Sequence, residues 1–452
     1  MRPGRLVLAL WLASCTRELD VLATRNAAPI DASATDASLR DARPDGARDA
    51  APPPRDLGPR DTGIPADAGS DASGEDAGLD AGPGECATPG EVIAGETVEI
   101  PYASGASAPR IVETSEGFLL LYETDPRITG ARAPALVHLD VRGGVVDPLA
   151  PIHALADGLD TLVAAGRVDD REVAVVRTLD GRLRAWVGDA ELPEAGRILE
   201  LDAGPGRVGG GAYVAAGSVA FLSHDAMPDA GGLFADLRLH RVSLDGTAAA
   251  PVELDVSFAG ASRDARVGAA SSGVWVTGVT GGSVALAFVD PDTGDATRGE
   301  GASTTRDTGV TGYSVGAAFG DPAVLVDHGT SSFLRYPEGS EWPVAEDERD
   351  PASGESRLGA GDFSLVAAFW PVGRRAPRLR GYPSFGGVPP VTAELDDSAV
   401  PDTFVRGLGI DIAENGDVWA VAYGVRVARA DGSETDVLYV ARVRFCVPLG
   451  GA

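Results

Sequence analysis

Lysine and glutamine do not occur in this chain of 452 residues, so all 38 basic residues are arginine. A GC-rich coding sequence accounts for that bias without invoking function. Acids number 67, and the formal net charge is −29. No basic stripe offsets it. Nucleic acid is therefore excluded as a partner, because so acidic a surface repels phosphate backbones. No stretch approaches the ~18 consecutive apolar residues that a spanning helix needs, which leaves lipid as the only route to a membrane. The five histidines are His138, His153, His224, His240 and His328. No two stand at i,i+2 or i,i+4, so no single strand or helix offers a metal pair. A G-x-S-x-G elbow is missing. Gly209-Gly210-Gly211 and Gly281-Gly282 lack a following lysine and lie between strands, so they are not phosphate loops. The expectation is no catalytic residue, no metal and no cofactor. The many acids keep a paired-carboxylate glycan hydrolase open as the alternative, although a sequence cannot pick the pair.

What the chain does have is glycine, 59 residues of it, with ordinary hydrophobic content at 44% and few aromatics at 6%. That balance favours short strands joined by tight turns. The acids are spread unevenly. Residues 16–85 hold 15 acids against 7 arginines (−8), and residues 86–452 hold 52 against 29 (−23). From about 20 to 85 the text is almost entirely Asp, Ala, Pro, Gly, Ser and Arg, with nothing to bury against chain entropy. Residues 15–85 are expected to be a disordered tether, the coil from 20 spanning about 45 Å. Asp31, Asp36, Asp41, Asp45 and Asp49 recur within it. They lack the D-x-D-x-D-G order of a calcium loop and read as solvated spacer.

The first fifteen residues carry a message of their own. Arg2 and Arg5 precede a short apolar run, residues 6–11 (LVLALW), and then Leu12-Ala13-Ser14-Cys15. This resembles the lipobox of bacterial lipoproteins. The resemblance implies cleavage after residue 14 and a lipid on Cys15, and Thr16 leans the sorting towards the outer membrane. An ordinary signal peptide with an incidental cysteine is the alternative.

Beyond residue 85 a pattern repeats. Seven segments, 109–123, 160–177, 207–224, 265–279, 312–327, 356–370 and 405–423, pair a small-residue strand with a tight turn and a strongly apolar strand. Their starts lie 51, 47, 58, 47, 44 and 49 residues apart. Asp-Gly turns at Leu179-Asp180-Gly181, Leu244-Asp245-Gly246 and Ala430-Asp431-Gly432, with Asp292-Thr293-Gly294, mark a second hairpin in several units. Leu237 and Leu239 alternate with Arg238 and His240, as a half-buried strand should. Two hairpins make four strands per unit. A period near fifty resembles the blades of β-propeller repeat proteins. The resemblance is one of period and strand pattern over about 96–446, without a family signature motif. It implies an all-β, seven-bladed ring, with six to eight blades as the range. Glycine and alanine in each first strand suit the crowded axis, and the apolar second strands suit the space between blades.

The seventh unit runs out of chain after three strands. Residues 96–101 are expected to supply its fourth, antiparallel to 437–445, because an open ring would expose a strand edge. That pairing places Cys86 beside Cys446, and an exported protein permits the disulfide. Arg374, Arg375, Arg378 and Arg380 form the only dense basic cluster, expected to meet acids of the same chain, with anion binding as the alternative. His224-Asp225 reads as strand-end structure. The whole is expected to be a signal segment (1–14), a tether (15–85) and one propeller (86–448). Function is expected as a monomeric, lipid-anchored envelope protein whose propeller binds an unknown protein or glycan.

Overall fold

The computed structural model of the protein describes residues 83–446 except 89, 142–150, 216, 226–232, 235–236, 255–257, 260–265, 271–272, 281–282, 290–295, 299–309, 319–320, 337–339, 362–363 and 384–388. Cys15, the signal segment and nearly all of the expected tether lie outside these residues, as does the turn at Asp292-Thr293-Gly294.

Among the described residues, seven antiparallel sheets of four or five strands, following one another along the chain, form an all-β propeller, and Leu233–Phe234 pairs with Phe258–Ala259 in a small eighth sheet. Their first strands are Arg110–Thr114, Leu159–Val168, Arg207–Ala215, Arg266–Ala270, Val310–Ala318, Arg357–Ala360 and Phe404–Asn415. These begin within two residues of the expected positions. Each touches the next, and the seventh touches the first, so the sheets close a ring around their first strands. Three bonds stitch the joint. The Ile111 N–H donates to Asp411 Oδ2 at 3.0 Å, and Asn415 Nδ2 donates to the carbonyls of Thr114 and Gly117, each at 2.8 Å. We call the face where first strands begin the upper face, and the opposite one the lower.

The strand Gly117–Thr124 shows why the second strands read as unbroken apolar runs. It is buried along its whole length. Phe118, Leu120 and Tyr122 pack with Val418, Ala420 and Val440 of blade seven. Leu119 and Leu121 pack with Leu162, Val176 and Trp186 of blade two. Side chains alternate between faces, and both faces meet a neighbour, so period-two polarity is lost. Fully burying such a side chain is worth about 1.5–3 kcal/mol. The crowding at the axis is real. A side chain at Gly409 would run into the backbone of Ala108 in blade one.

The Asp-Gly turns share one geometry. Gly181, Gly246 and Gly432 have φ of 82°, 96° and 80°, the left-handed region that glycine tolerates. Their N–H groups donate to Thr178, Ser243 and Arg429 carbonyls at 2.8, 2.9 and 3.0 Å. Asp245 and Asp431 each accept from the N–H two residues on, at 2.7 and 2.9 Å, as Asx turns do.

The seventh sheet is Phe404–Asn415, Val418–Ala428, Glu434–Phe445 and an outer strand from the start of the domain. The expected closing strand at 96–101 needs correction. Val98–Glu99 does pair with Val440 and Tyr439, but the pairing resumes at Val92–Ala94 against 443–445. Gly95 lies between, its N–H bonded to the Arg442 carbonyl at 2.8 Å. Blade one also departs from four equal strands. Among the described residues it has Arg110–Thr114, Gly117–Thr124 and Pro134–Asp140, with the short Ala103–Ser104 beside the far end of the second.

Candidate functional site

The upper face gathers the starts of the first strands and the loops joining second to third strands. In blade one that loop opens with Asp125, whose Oδ1 accepts from the Arg127 N–H at 2.9 Å and caps the short helix Pro126–Thr129. Just before it, Glu123 is buried. Ser107 donates to it, and Arg132 binds it through Nε and, at 2.8 Å, through Nη2. The Glu123 hydrogen bond holds the Arg132 guanidinium above its usual pKa, against the opposing effect of burial. Arg132 also donates to the carbonyls of Leu159 and Asp160 at 3.3 Å, crossing to blade two. Asp160 meets Arg177 at 3.2 Å.

Blades five and six carry a second buried acid. Asp327 accepts from Ser332 Oγ at 2.6 Å and the Ser356 N–H at 2.8 Å, and Arg349 Nε lies 3.2 Å away. Arg349 also donates to the carbonyls of Gly329 and Gly354 at 2.8 and 3.1 Å. These carboxylates are consumed in bracing loops. A catalytic carboxylate instead needs room for a substrate oxygen or a water.

In blade three, Arg207 Nε donates to Ser223 Oγ at 3.0 Å, and Ser223 Oγ lies 2.7 Å from His240 Nε2. Burial, then the charges of Arg207 and Arg238, push His240 down to about 4, so the ring is neutral near pH 7. His240 stacks on Phe221 with ring centroids 4.6 Å apart. Ser223 is wholly buried and His240 half-buried, so the serine hydroxyl is committed to a network with Arg207 and His240. His224 is buried beside it, and burial lowers its pKa too. Between blades one and two, His138 Nε2 lies 3.3 Å from Glu172. Burial alone would raise the Glu172 carboxyl. The hydrogen bonds from His138 and the Ala190 N–H win, and hold it below its usual range.

Three of the four clustered arginines meet acids of their own chain. Arg374 pairs with Glu394 and Asp397 at 3.6 and 3.3 Å, Arg375 with Asp397 and Asp402, and Arg378 with Glu394 at 2.6 Å and with Glu348. Arg380 donates to the Val344 carbonyl at 3.0 Å. Among the described residues no group of three or more His, Cys, Asp or Glu could hold a metal, and no helix is long and apolar enough to cross a membrane.

Cys86 and Cys446 form a disulfide with Cα atoms 5.6 Å apart. It sits at the rim of the lower face, where Glu434–Phe445 ends. The lower face also holds a shallow 210 Å³ cavity between blades two and three, lined by Val168, Asp169, Arg171, Ser243, Leu244 and Asp245. Hydrogen bonds from Ser243 and Thr247 lower Asp245 to about 2, which fixes it as an anion.

Two features were not anticipated from the sequence. The first is a repeated clamp: Arg110 Nε donates to the Val163 carbonyl at 2.9 Å, and Arg357 Nε to the Ile410 carbonyl at 3.1 Å, each acceptor 53 residues downstream on the next blade. The signal was available, since several first strands open on arginine. The second is a set of large apolar side chains exposed at loop tips of the upper face, among them Ile128, Leu179 and Val372.

No protein-family model and no curated protein matches the chain. Among solved structures, it is similar to a subtype N11 neuraminidase-like protein from A/flat-faced bat/Peru/033/2010, at 13% identity and TM-score 0.42, over 82% of this chain and 98% of that one. It is similar to the polysaccharide lyase Uly1 at 10% identity and TM-score 0.44, over 76% and 91%. A third is the Trypanosoma rangeli sialidase, at 13% identity and TM-score 0.41, over 75% and 72%. At likenesses this distant, the fold rests on the seven sheets themselves.

Proposed function

We propose that this protein is a lipid-anchored binding or scaffold module of a bacterial envelope, in which a propeller held on a spacer engages a protein or glycan. The observation that carries it is the way the domain ends. The two ends of the described domain meet in a disulfide and a shared sheet at the lower rim, away from the loop tips of the upper face. Signal segment 1–14, lipid on Cys15 and an unstructured stretch up to residue 85 complete this reading. Several acyl chains anchor stably where one does so marginally. The spacer carries −8 and the body −23, so both stay solvated and the chain stays monomeric by self-repulsion. The leaning is towards the outer membrane.

Palmitate labelling of growing cells tests the anchor. The label is expected on the wild-type chain and lost in Cys15→Ala, which should also leave the membrane fraction. Label retained by the variant overturns the anchor. Limited proteolysis is expected to cut between residues 20 and 85 and leave a resistant body. Cuts scattered through 110–440 would refute a single compact domain.

A further inference from the structure

We infer that the tethered module, on which this step rests, docks a basic protein through an arc of the upper face running from blade six through seven and one to blade two. Five large apolar side chains project there. Val372 is 62% exposed, Val405 45%, Tyr102 55%, Ile128 57% and Leu179 73%. Single exposed apolar residues are ordinary; a braced row of them is what interfaces are built from.

The bracing can be followed from tip to tip. Trp370, two residues before Val372, packs on Phe404 with ring centroids 6.3 Å apart, next to Val405. Thr403 accepts from the Ala428 N–H at 2.8 Å, which ties that strand start to the blade-seven turn. Arg127 Nη2 donates to Thr435 Oγ1 at 3.1 Å, linking that turn to the loop that carries Ile128. The Asp125 N–H donates to the Tyr102 carbonyl at 2.8 Å, placing Tyr102 on the same loop. Arg132 then reaches Leu159 and Asp160, and the Leu179 N–H donates to the Gly158 carbonyl at 2.8 Å. Loops fixed in this way lose little further freedom when a partner binds. An arginine lies within three residues of each tip from Val372 to Leu179 except Tyr102: Arg374, Arg406, Arg127 and Arg182. Apolar anchors with guanidinium neighbours match the residue types enriched at protein interfaces.

Charge selects the occupant. The body carries −23, and its field steers basic proteins in and turns acidic ones away. A second copy brings the same charge. Residues 16–85 carry −8, the same sign as the body, which disfavours them as the occupant. Aliphatic tips also suit a protein better than a sugar, whose rings stack on broad aromatic faces.

Photo-crosslinking in the native envelope with the full-length chain tests this. Benzoylphenylalanine replaces Leu179, Val372 or Leu192 one at a time. Leu192 is 62% exposed on a lower-face loop of blade two and serves as control. Irradiation of the first two is expected to give one adduct of the same mass, containing a protein of positive net charge, at ten-fold or more the yield at Leu192. Adding Val405→Asp should cut that yield at least five-fold while the melting temperature holds. An equal yield at Leu192, an adduct of twice the chain's mass, a glycan smear, an acidic partner or no adduct overturns the assignment. Retention of variants in the membrane fraction separates the two ideas. Retained chains without the adduct sink the docking face alone, and chains absent from that fraction sink the module and the face together.

Discussion

Buried charge sets the stakes at single positions. Asp327 and Arg349 are both almost wholly inaccessible, and each satisfies the other along with neighbouring backbone and serine groups. Removing one partner strands a charge in low dielectric. Arg349→Ala is expected to cost about 3–5 kcal/mol in urea unfolding. Arg349→Lys should recover only part of it, because a point charge cannot span Asp327 and two carbonyls as the planar guanidinium does. His240 gives a pH signature. An unfolded histidine takes up its proton near 6.5, whereas the folded ring resists until about 4. Below 6.5 the unfolded chain therefore binds more protons, and stability falls as pH drops from 6.5 to about 4, with no contribution above. His240→Gln keeps a hydrogen-bond partner for Ser223 and does not titrate. Its unfolding midpoint is expected to be flatter than wild type across that window.

Turns and strands show which parts of the fold local sequence specifies. The three Asp-Gly turns adopt the same bonds in blades two, three and seven, so each glycine carries the same left-handed strain on substitution. Gly432→Ala is expected to cost about 1–2 kcal/mol by that strain alone, and Gly181→Ala more, because its Cβ would stand 3.0 Å from Val208 Cγ1, read as drops in melting temperature. Such turns were legible because every group involved lies within five residues. Leu119 and Leu120 were legible as core for the same reason, since an unbroken apolar run bounded by turns has few other homes. The arginine clamps were not. Val163 sits at a register shift between Leu162 and Ala164, and whether its carbonyl takes a donor from Arg110 depends on a bulge that no local pattern announces. The loop-tip residues escaped notice because Ile128 and Val405 look like ordinary members of apolar text until the fold turns them outward.

At the scale of the molecule, the ring was legible from its period, and the pairing of Cys86 with Cys446 from arithmetic and export. The closing strand was only half read: 96–101 was expected, whereas Val92–Ala94 and Val98–Glu99 share the work, because Gly95 lets the chain step between two short pairings. So short an outer strand leans on its cross-link. Cys86→Ser is expected to lower stability by about 3–5 kcal/mol in the loop-entropy account. Amide exchange should rise first at 92–99 and 438–445, and uniform loosening of all seven sheets would contradict this order.

The position of Cys86, ahead of the closing strand and not within it, has a mechanical meaning. Tension arriving along the chain from the amino-terminal side meets only the bonds from Arg444 Nη1 to the Pro83 and Gly84 carbonyls before it reaches the covalent bond. It passes through sulfur into Glu434–Phe445, the third strand of the last blade, and bypasses the five outer-strand residues that would otherwise unzip one rung at a time. Shear in flowing or crowded surroundings would thus load the long third strand of the last blade and leave its short outer pairings unpeeled.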